Sequence, residues 1–312
     1  MPGASLRHAP WEVAVQPPRA APGRPGRLRF WSGLWAGEVA GAFRSAAEIL
    51  TRAARPLYGA PVDGNPIEVR SLDFAYPGGP PVLRGLSLSV PRGARCLLIG
   101  ANGAGKTTLL RVIGGKHLVS PDRVRVLGEP AFHATGLAAR VAFIGGVYPF
   151  DSDVAVLEIL SRQRDLDPVR LARVVGILGV DVGWRMHRVS DGQRRRVQLL
   201  LHLVRRLEVL LLDEVTGDLD VLARADLLSF LREDGEERGT TVLYATHVLD
   251  GLHDWATHLA YLRDGSIARF APLEEIPELV ALREAGTPSP LLRLCESWLR
   301  AERPPTTSRE AP

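Results

Sequence analysis

One stretch of the chain has the glycine, lysine and threonine spacing of a phosphate-binding loop. Residues 100–107 read Gly-Ala-Asn-Gly-Ala-Gly-Lys-Thr, the Walker A pattern G-x-x-x-x-G-K-[ST]. Glycines let consecutive backbone N–H groups face phosphate oxygens, and the N-terminus of the following helix favours negative charge. The alternative is a generic glycine-rich turn, but one of the only two lysines in the chain stands where the pattern requires it. We therefore predict phosphate contacts from Gly100, Asn102, Gly103, Gly105, Lys106, Thr107 and Thr108.

Two carboxylates and a histidine follow apolar runs later in the chain. Asp213 and Glu214 come directly after Val-Leu-Leu-Leu, and carboxylates beside a buried strand are costly unless they meet a cation. Asp213, together with the Thr107 hydroxyl, is predicted to ligate Mg²⁺, and Glu214 to polarise the attacking water. His247 ends another apolar run, where open α/β sheets bind ligands, which favours a γ-phosphate contact over a structural role. Lys106, Glu214 and His247 are the predicted catalytic residues.

These residues lie at the ends of elements that alternate along the chain. Apolar runs predict strands at 67–74, 86–90, 95–99, 123–127, 140–144, 209–212, 240–245 and 258–262. Helical spacing predicts helices at 107–115, 154–164, 168–178, 192–206 and 222–234. The alternation indicates an α/β domain with a mostly parallel sheet and helices on its faces.

Composition excludes several classes of protein. Of the 312 residues, positions 1–65 hold eight arginines and four acids, so they carry the whole net charge of +4 and the remainder is neutral. Direct nucleic-acid binding is therefore not indicated. The sequence contains no uninterrupted apolar stretch of about 18 residues, so no transmembrane helix is predicted. With two cysteines, Cys96 and Cys295, a disulfide framework is excluded, which suits a reducing compartment.

The two ends of the chain differ from its body. Residues 1–65 are predicted to be a disordered extension with one amphipathic helix, which could dock on protein, lie on a membrane surface or end an organelle-targeting segment within residues 1–50. Residues 272–303 are predicted to be a helical segment, and 304–312 a disordered tail. The apolar positions that predict the N-terminal helix are Phe30, Leu34, Val39, Phe43, Ala47 and Leu50.

In this order the motifs resemble those of the ATP-binding-cassette (ABC) ATPases. The discriminating element is the signature L-S-G-G-Q, which residues 189–193 match as Val-Ser-Asp-Gly-Gln. The resemblance implies an ABC-type P-loop nucleotide-binding domain over residues 66–271, with an antiparallel β subdomain and a helical signature subdomain. It also implies hydrolysis of ATP with Mg²⁺ between two copies of the chain. Further residues implied to contact nucleotide are Tyr76 on adenine, Ser190, Gly192 and Gln193 of the signature, and Asp220 of the D-loop (residues 217–220).

Longer strings narrow the resemblance. Residues 184–198, 212–220 and 244–252 are similar to soluble ABC ATPases of the CCR–NOT-associated-factor type, with plant relatives in the I subfamily. This implies a cytoplasmic or nuclear ATPase without transmembrane subunits, linked to transcription or mRNA-regulatory complexes and gated by nucleotide. Two other functions stay open, namely an ATP-binding subunit for a separately encoded permease and an ATP-binding switch with little hydrolysis.

Two departures from the family pattern bear on turnover. Asp191 replaces the first glycine of the signature, which places a carboxylate near phosphate unless it points away or pairs with an arginine. The Q-loop glutamine, which touches Mg²⁺ and couples to membrane subunits in the family, is also missing. No glutamine occurs between residues 109 and 162, and Gly146 stands at that place. Loss of the coupling residue is expected in a cassette that drives no permease.

Overall fold

The computed structural model describes residues 64–146, 152–163 and 166–302. The predictions for residues 1–63, for Arg164 and for residues 303–312 lie outside these ranges. The boundaries proposed above for the extension, the ABC domain (66–271), the C-terminal helical segment and the tail remain predictions.

Strands within the described ranges form two sheets. They are β1 Ile67–Ala75, β2 Pro81–Val90, β3 Arg95–Ile99, β4 Val124–Val126, β5 Glu129–Pro130, β6 Val141–Ile144, β7 Val209–Asp213, β8 Thr241–Ala245, β9 His258–Arg263 and β10 Ser266–Pro272. The larger sheet has the order β10-β9-β3-β8-β7-β6, and the smaller has the order β2-β1-β4-β5. All neighbours in the larger sheet are parallel except β10, which runs antiparallel to β9 at the edge. The smaller sheet is antiparallel.

The helices flank the larger sheet. They are α1 Lys106–Ile113, α2 Val156–Ser161, α3 Pro168–Leu178, α4 Asp191–Leu203, α5 Val221–Arg238, α6 Pro277–Glu284 and α7 Pro290–Ala301. Helices α2 to α4 lie between β6 and β7 in the chain and form the helical subdomain. The predicted fold class is confirmed: a mostly parallel sheet, an antiparallel β subdomain and a helical subdomain.

Apolar alternation along the central strands explains the layered core. In β3, Leu97 and Ile99 belong to one apolar cluster and Cys96 and Leu98 to another, because successive side chains point to opposite faces. The first cluster joins the sheet to α3, α4 and α5, and the second joins it to α1 and the antiparallel sheet. All five residues of β3 are buried, as expected of a parallel strand covered on both faces.

Several predicted elements differ from the observed ones. The helix predicted at 154–164 is only Val156–Ser161, and the strand predicted at 86–90 begins five residues earlier, at Pro81. Strands β5 and β10 were not predicted, because β5 has only two residues and β10 has a mixed pattern of exposure. In the described part of the chain, no helix combines the length and the apolar character needed to cross a bilayer.

Candidate functional site

The glycine-rich loop joins the carboxyl end of β3 to the start of α1. Gly103 (φ +84°) and Gly105 (φ +106°) adopt left-handed backbone conformations that favour glycine. Gly100 lies so close to β9 that a Cβ atom there would be 2.3 Å from the carbonyl oxygen of Leu262. The first turn of α1 contains no acidic residue, so its N-terminus is free of like charge that would repel phosphate.

Lys106 folds back over this loop. Its Nζ donates hydrogen bonds to the carbonyl oxygens of Gly100 (2.7 Å) and Ala101 (3.1 Å). Burial lowers the pKa of the Lys106 ammonium, while Glu214 and Asp213 oppose that shift. A half-buried ammonium held by neutral carbonyls is suited to an anionic ligand.

Asp213 ends β7 and is 8% exposed. Burial raises the pKa of Asp213, and the neighbouring Thr107 side chain and the charge of Lys106 only partly offset this effect. The two predicted Mg²⁺ ligands are therefore neighbours. A carboxyl group that is costly to ionise where it stands fits a site completed by a cation.

Glu214 and His247 form a pair across the ends of β7 and β8. The Oε2 of Glu214 lies 2.9 Å from the Nδ1 of His247 and also accepts the backbone N–H of His247 at 3.4 Å. The backbone of Glu214 has φ +51°, a conformation uncommon for a residue other than glycine, and its N–H donates to the carbonyl oxygen of Ala245 at 2.9 Å. The structure therefore brings the predicted water-polarising group and the predicted γ-phosphate contact together.

Tyr76 lies beside the same loop. Its hydroxyl is 3.2 Å from the Oγ1 of Thr108, and its ring meets the rings of Phe74 and His117 edge-on at centroid distances of 5.2 and 5.3 Å. Tyr76 is thus joined to the phosphate-loop helix. Stacking on adenine remains a prediction.

The signature residues cap helix α4. The Ser190 hydroxyl accepts the backbone N–H of Gln193, and the Gln193 side chain accepts the N–H of Ser190, which is a capping box. Asp191 is exposed in the first turn of α4, where the helix dipole stabilises a negative charge. A Cβ atom at Gly192 would approach no atom closer than 3.9 Å. The signature surface is therefore open.

Helix α4 is bound to the D-loop of its own chain. Arg195 lies 3.7 Å from Asp218, and Arg196 lies 3.3 Å from Asp220. Asp220 also caps α5, where it accepts the N–H groups of Leu222 and Ala223. The backbone bonds lower the pKa of Asp220, and Arg196 adds to that shift. The sequence reasoning missed both arginine contacts, although two arginines and two aspartates in neighbouring motifs were a signal.

The predicted nucleotide contacts therefore fall into two groups within one chain. Lys106, Thr107, Asp213, Glu214 and His247 meet at the carboxyl edge of the sheet, because β3, β8 and β7 are neighbours there. The hydrogen bonds described for Ser190 and Gln193 are made with each other. Those two residues thus have no described hydrogen bond to the phosphate-binding loop.

Known proteins are similar to this chain in sequence. A family model described as "ABC transporter" matches residues 83–217. ABC transporter I family member 20 of Arabidopsis thaliana is 44% identical over 76% of this chain and 76% of its own length. The chain belongs to the ABC family of ATPases. CCR4-associated factor 16 of Saccharomyces cerevisiae is 41% identical over 64% of this chain and 76% of its own length.

Solved structures agree at the level of the fold. A dimeric ATP-binding cassette in a post-hydrolysis state, bound to ADP and phosphate, superposes with a TM-score of 0.57 at 19% identity, over 66% of this chain and 98% of that one. An ATP-binding subunit of an ABC transporter gives 0.60 at 22% identity, over 76% and 99%. Both likenesses support the ABC fold.

Gly145, which precedes the Gly146 predicted to stand at the place of the Q-loop glutamine, lies against Asp213. A Cβ atom at Gly145 would lie 2.6 Å from the Cβ of Asp213 and 2.9 Å from the Phe143 ring, while nothing lies within 4 Å of one at Gly146. The end of β6 therefore packs its bare backbone on the predicted Mg²⁺ ligand. Two successive glycines after a strand were the available signal.

Proposed function

We propose that this chain hydrolyses ATP as a dimer and acts as a nucleotide-gated regulatory ATPase. The observation that carries the hydrolytic step is the contact between Glu214 and His247 beside Lys106 and Asp213. It unites a water-polarising carboxylate, a γ-phosphate contact and a phosphate-binding cation at one sheet edge.

In the proposed hydrolysis, each residue of one chain has a separate role. Lys106 exchanges its carbonyl partners for the β- and γ-phosphates, and the N-terminus of α1 adds its N–H groups. Thr107 and Asp213 hold Mg²⁺, which supplies positive charge to the phosphate oxygens when bound. Glu214 accepts a hydrogen bond from the attacking water and thereby raises its nucleophilicity. His247 is oriented by Glu214 and donates to a γ-phosphate oxygen.

A second copy of the chain completes the site. Support comes from the open signature surface, where Ser190, Gly192 and Gln193 are available to a nucleotide held elsewhere, and from the dimeric cassette that shares the fold. Asp220, exposed and already bound to Arg196, is proposed to lie at the same interface. ATP then closes the dimer and hydrolysis opens it, so a partner that binds only one of the two forms responds to the bound nucleotide.

The regulatory role is supported by two observations. Relatives include CCR4-associated factor 16, and from that name we propose a partner among CCR–NOT or transcription-related complexes, in the cytoplasm or nucleus. Gly146, predicted to stand at the place of the glutamine that couples related cassettes to permeases, has no side chain with which to make that contact. Affinity purification of the full-length chain and of a chain starting at Pro66 tests this role. Recovery of an integral membrane protein in place of such a complex contradicts it.

The hydrolytic assignment is tested by Glu214→Gln. The variant is expected to bind ATP like the parent and to release phosphate at least about 100-fold more slowly, because an amide cannot accept the proton of the attacking water. Phosphate release and equilibrium ATP binding are measured side by side. Glu284→Gln, an equal change of charge at an exposed position on α6, is the control and should match the parent. Release by Glu214→Gln at the parental rate contradicts the assignment, and no release by the parent indicates a binding switch.

A second candidate function is the ATP-binding subunit of a transporter with a separate permease. It is favoured by the nickel import ATP-binding protein NikO of Rhodobacter capsulatus, which is 34% identical over 69% of this chain and 92% of its own length. A permease stimulates its ATPase partner. Acceleration of phosphate release by a co-purified membrane protein would therefore favour this candidate.

A further inference from the structure

A buried tyrosine links the segments that carry Glu214 and His247. Tyr244 lies on β8 and is completely buried. Its hydroxyl is 2.6 Å from the Oγ1 of Thr216. Burial raises the pKa of Tyr244, and the side chains of Thr216 and Thr246, both beside the hydroxyl, oppose that shift. Thr216 is 4% exposed and Thr246 is 3% exposed. Three hydroxyl groups thus form a small polar cluster inside an apolar core.

Each partner of Tyr244 adjoins a residue of the reaction. Thr216 stands two residues after Glu214 and one before the D-loop. Thr246 directly precedes His247, and its Oγ1 accepts the backbone N–H of Val248 at 3.1 Å. The bond from Thr246 to Val248 spans His247, so the hydroxyl cluster fixes the backbone that presents the histidine.

The far side of the histidine loop is fixed as well. Arg224 on α5 donates to the carbonyl oxygens of Val248 (2.8 Å) and Asp250 (2.7 Å). The Trp255 ring meets the Tyr244 ring edge-on at 6.2 Å. The loop is therefore held from α5 and from Tyr244, and Tyr244 also contacts Thr216 in the segment that carries Glu214.

We propose that Tyr244 is a positioning residue for hydrolysis, whose hydroxyl holds Glu214 and His247 at their 2.9 Å separation through Thr216 and Thr246. The proposal rests on the hydrolytic function given above. Packing alone does not require the hydroxyl, since phenylalanine fills nearly the same volume in an apolar core. The polar atoms that the hydroxyl meets belong to the two loops that carry the reacting groups.

The test is Tyr244→Phe in the full-length chain. We expect kcat for ATP hydrolysis to fall about tenfold or more, with KM and ATP affinity within about twofold of the parent, because misplacing Glu214 affects the transition state and leaves the phosphate-binding loop intact. Thr240→Val is the control: Thr240 is 3% exposed, and its hydroxyl donates to the carbonyl oxygen of Leu207 at the opposite end of β8 from the reacting groups. That variant should keep the parental kcat.

Substitutions of Thr216 test the same link without altering the aromatic core. Thr216→Val removes the hydroxyl at constant shape and should lower kcat like Tyr244→Phe, whereas Thr216→Ser keeps the hydroxyl and should retain most of the rate. A parental kcat in both Tyr244→Phe and Thr216→Val, even with a lower melting temperature, overturns the positioning role alone. Absence of hydrolysis by the parent overturns the proposed function and this role with it.

Discussion

Gly145 shows how a single residue lets a strand end approach a predicted Mg²⁺ ligand. A Cβ atom there would lie 2.6 Å from the Cβ of Asp213, a distance that packed side chains do not adopt. The backbone that follows β6 therefore rests against the Asp213 side chain.

Adding a side chain at Gly145 should destabilise the domain. Gly145→Gln is expected to lower the free energy of unfolding by about 1–3 kcal/mol, because the strand end must move away from Asp213. It should also raise the Mg²⁺ concentration needed for half-maximal ATP hydrolysis. Gly176→Ala is the control, because a Cβ atom there meets nothing within 4 Å and helix α3 favours alanine. Denaturation curves give the free energy of unfolding of both variants, and Mg²⁺ titrations of ATP hydrolysis give their half-maximal Mg²⁺ concentrations. Parental stability in Gly145→Gln would contradict the close approach.

At the scale of elements, a buried ion pair joins the helical subdomain to helix α5. Arg170 on α3 is 5% exposed and binds Asp234 with two hydrogen bonds, of which one is 2.7 Å long. Its Nε donates to the carbonyl oxygen of Leu203, and its guanidinium lies 4.6 Å from the centre of the Phe230 ring. Every donor of this buried cation that is described has a partner on another element, so the pair fixes how α3 sits against α5.

Breaking this pair should cost much more than breaking its exposed neighbour. Asp234→Asn leaves the charge of Arg170 buried without a counter-ion, and we expect a loss of about 3 kcal/mol of unfolding free energy. Glu233→Gln removes the pair with Arg173, whose side chains are 46% and 42% exposed, and should cost less than about 1 kcal/mol. Urea denaturation of the two variants measures both losses of unfolding free energy. Equal losses would show that burial does not set the strength of the Arg170 pair.

The elements also show what sequence reasoning could reach. Strands β3, β7 and β8 were predicted because each is an apolar run that ends abruptly. The runs end in a glycine, in a carboxylate, and in a threonine and a histidine, respectively, and these ends form the candidate site. Strand β10 was missed because an edge strand alternates weakly. The hydroxyl of Tyr244 and the backbone of Gly145 were beyond reach, since their roles arise from contacts with residues 28 and 68 positions away. Local spacing predicts what a loop binds, but tertiary packing determines which neighbours hold it.

At the scale of the molecule, the predicted nucleotide contacts of one chain form two separate groups. The phosphate-binding loop lies at the sheet edge, and the signature caps α4, which is bound to its own D-loop by Arg195 and Arg196. These intrachain pairs keep the signature and D-loop of one copy together as a single surface. A second copy would then meet both at once, so ATP should join two chains in one step.

Association of this kind should make thermal stability depend on protein concentration. The Glu214→Gln variant in Mg-ATP is expected to melt at a temperature that rises with its concentration, because the dimer but not the unfolded chain binds nucleotide across the interface. Without nucleotide the melting temperature should be constant. Gly192→Asp, added to Glu214→Gln, is the control, since a Cβ atom at Gly192 has 3.9 Å of clearance within the chain and a carboxylate suits the first turn of a helix.

The control variant should keep the melting temperature of its parent without nucleotide, yet lose the dependence on concentration in Mg-ATP. Its added carboxylate faces outward from the signature, where the phosphates held by the other copy would repel it. Scanning calorimetry at protein concentrations about 50-fold apart, checked by sedimentation, gives both readings. If Glu214→Gln melts at one temperature at every concentration while binding ATP, the signature does not close on a second copy, and Asp191 becomes the residue to replace with glycine.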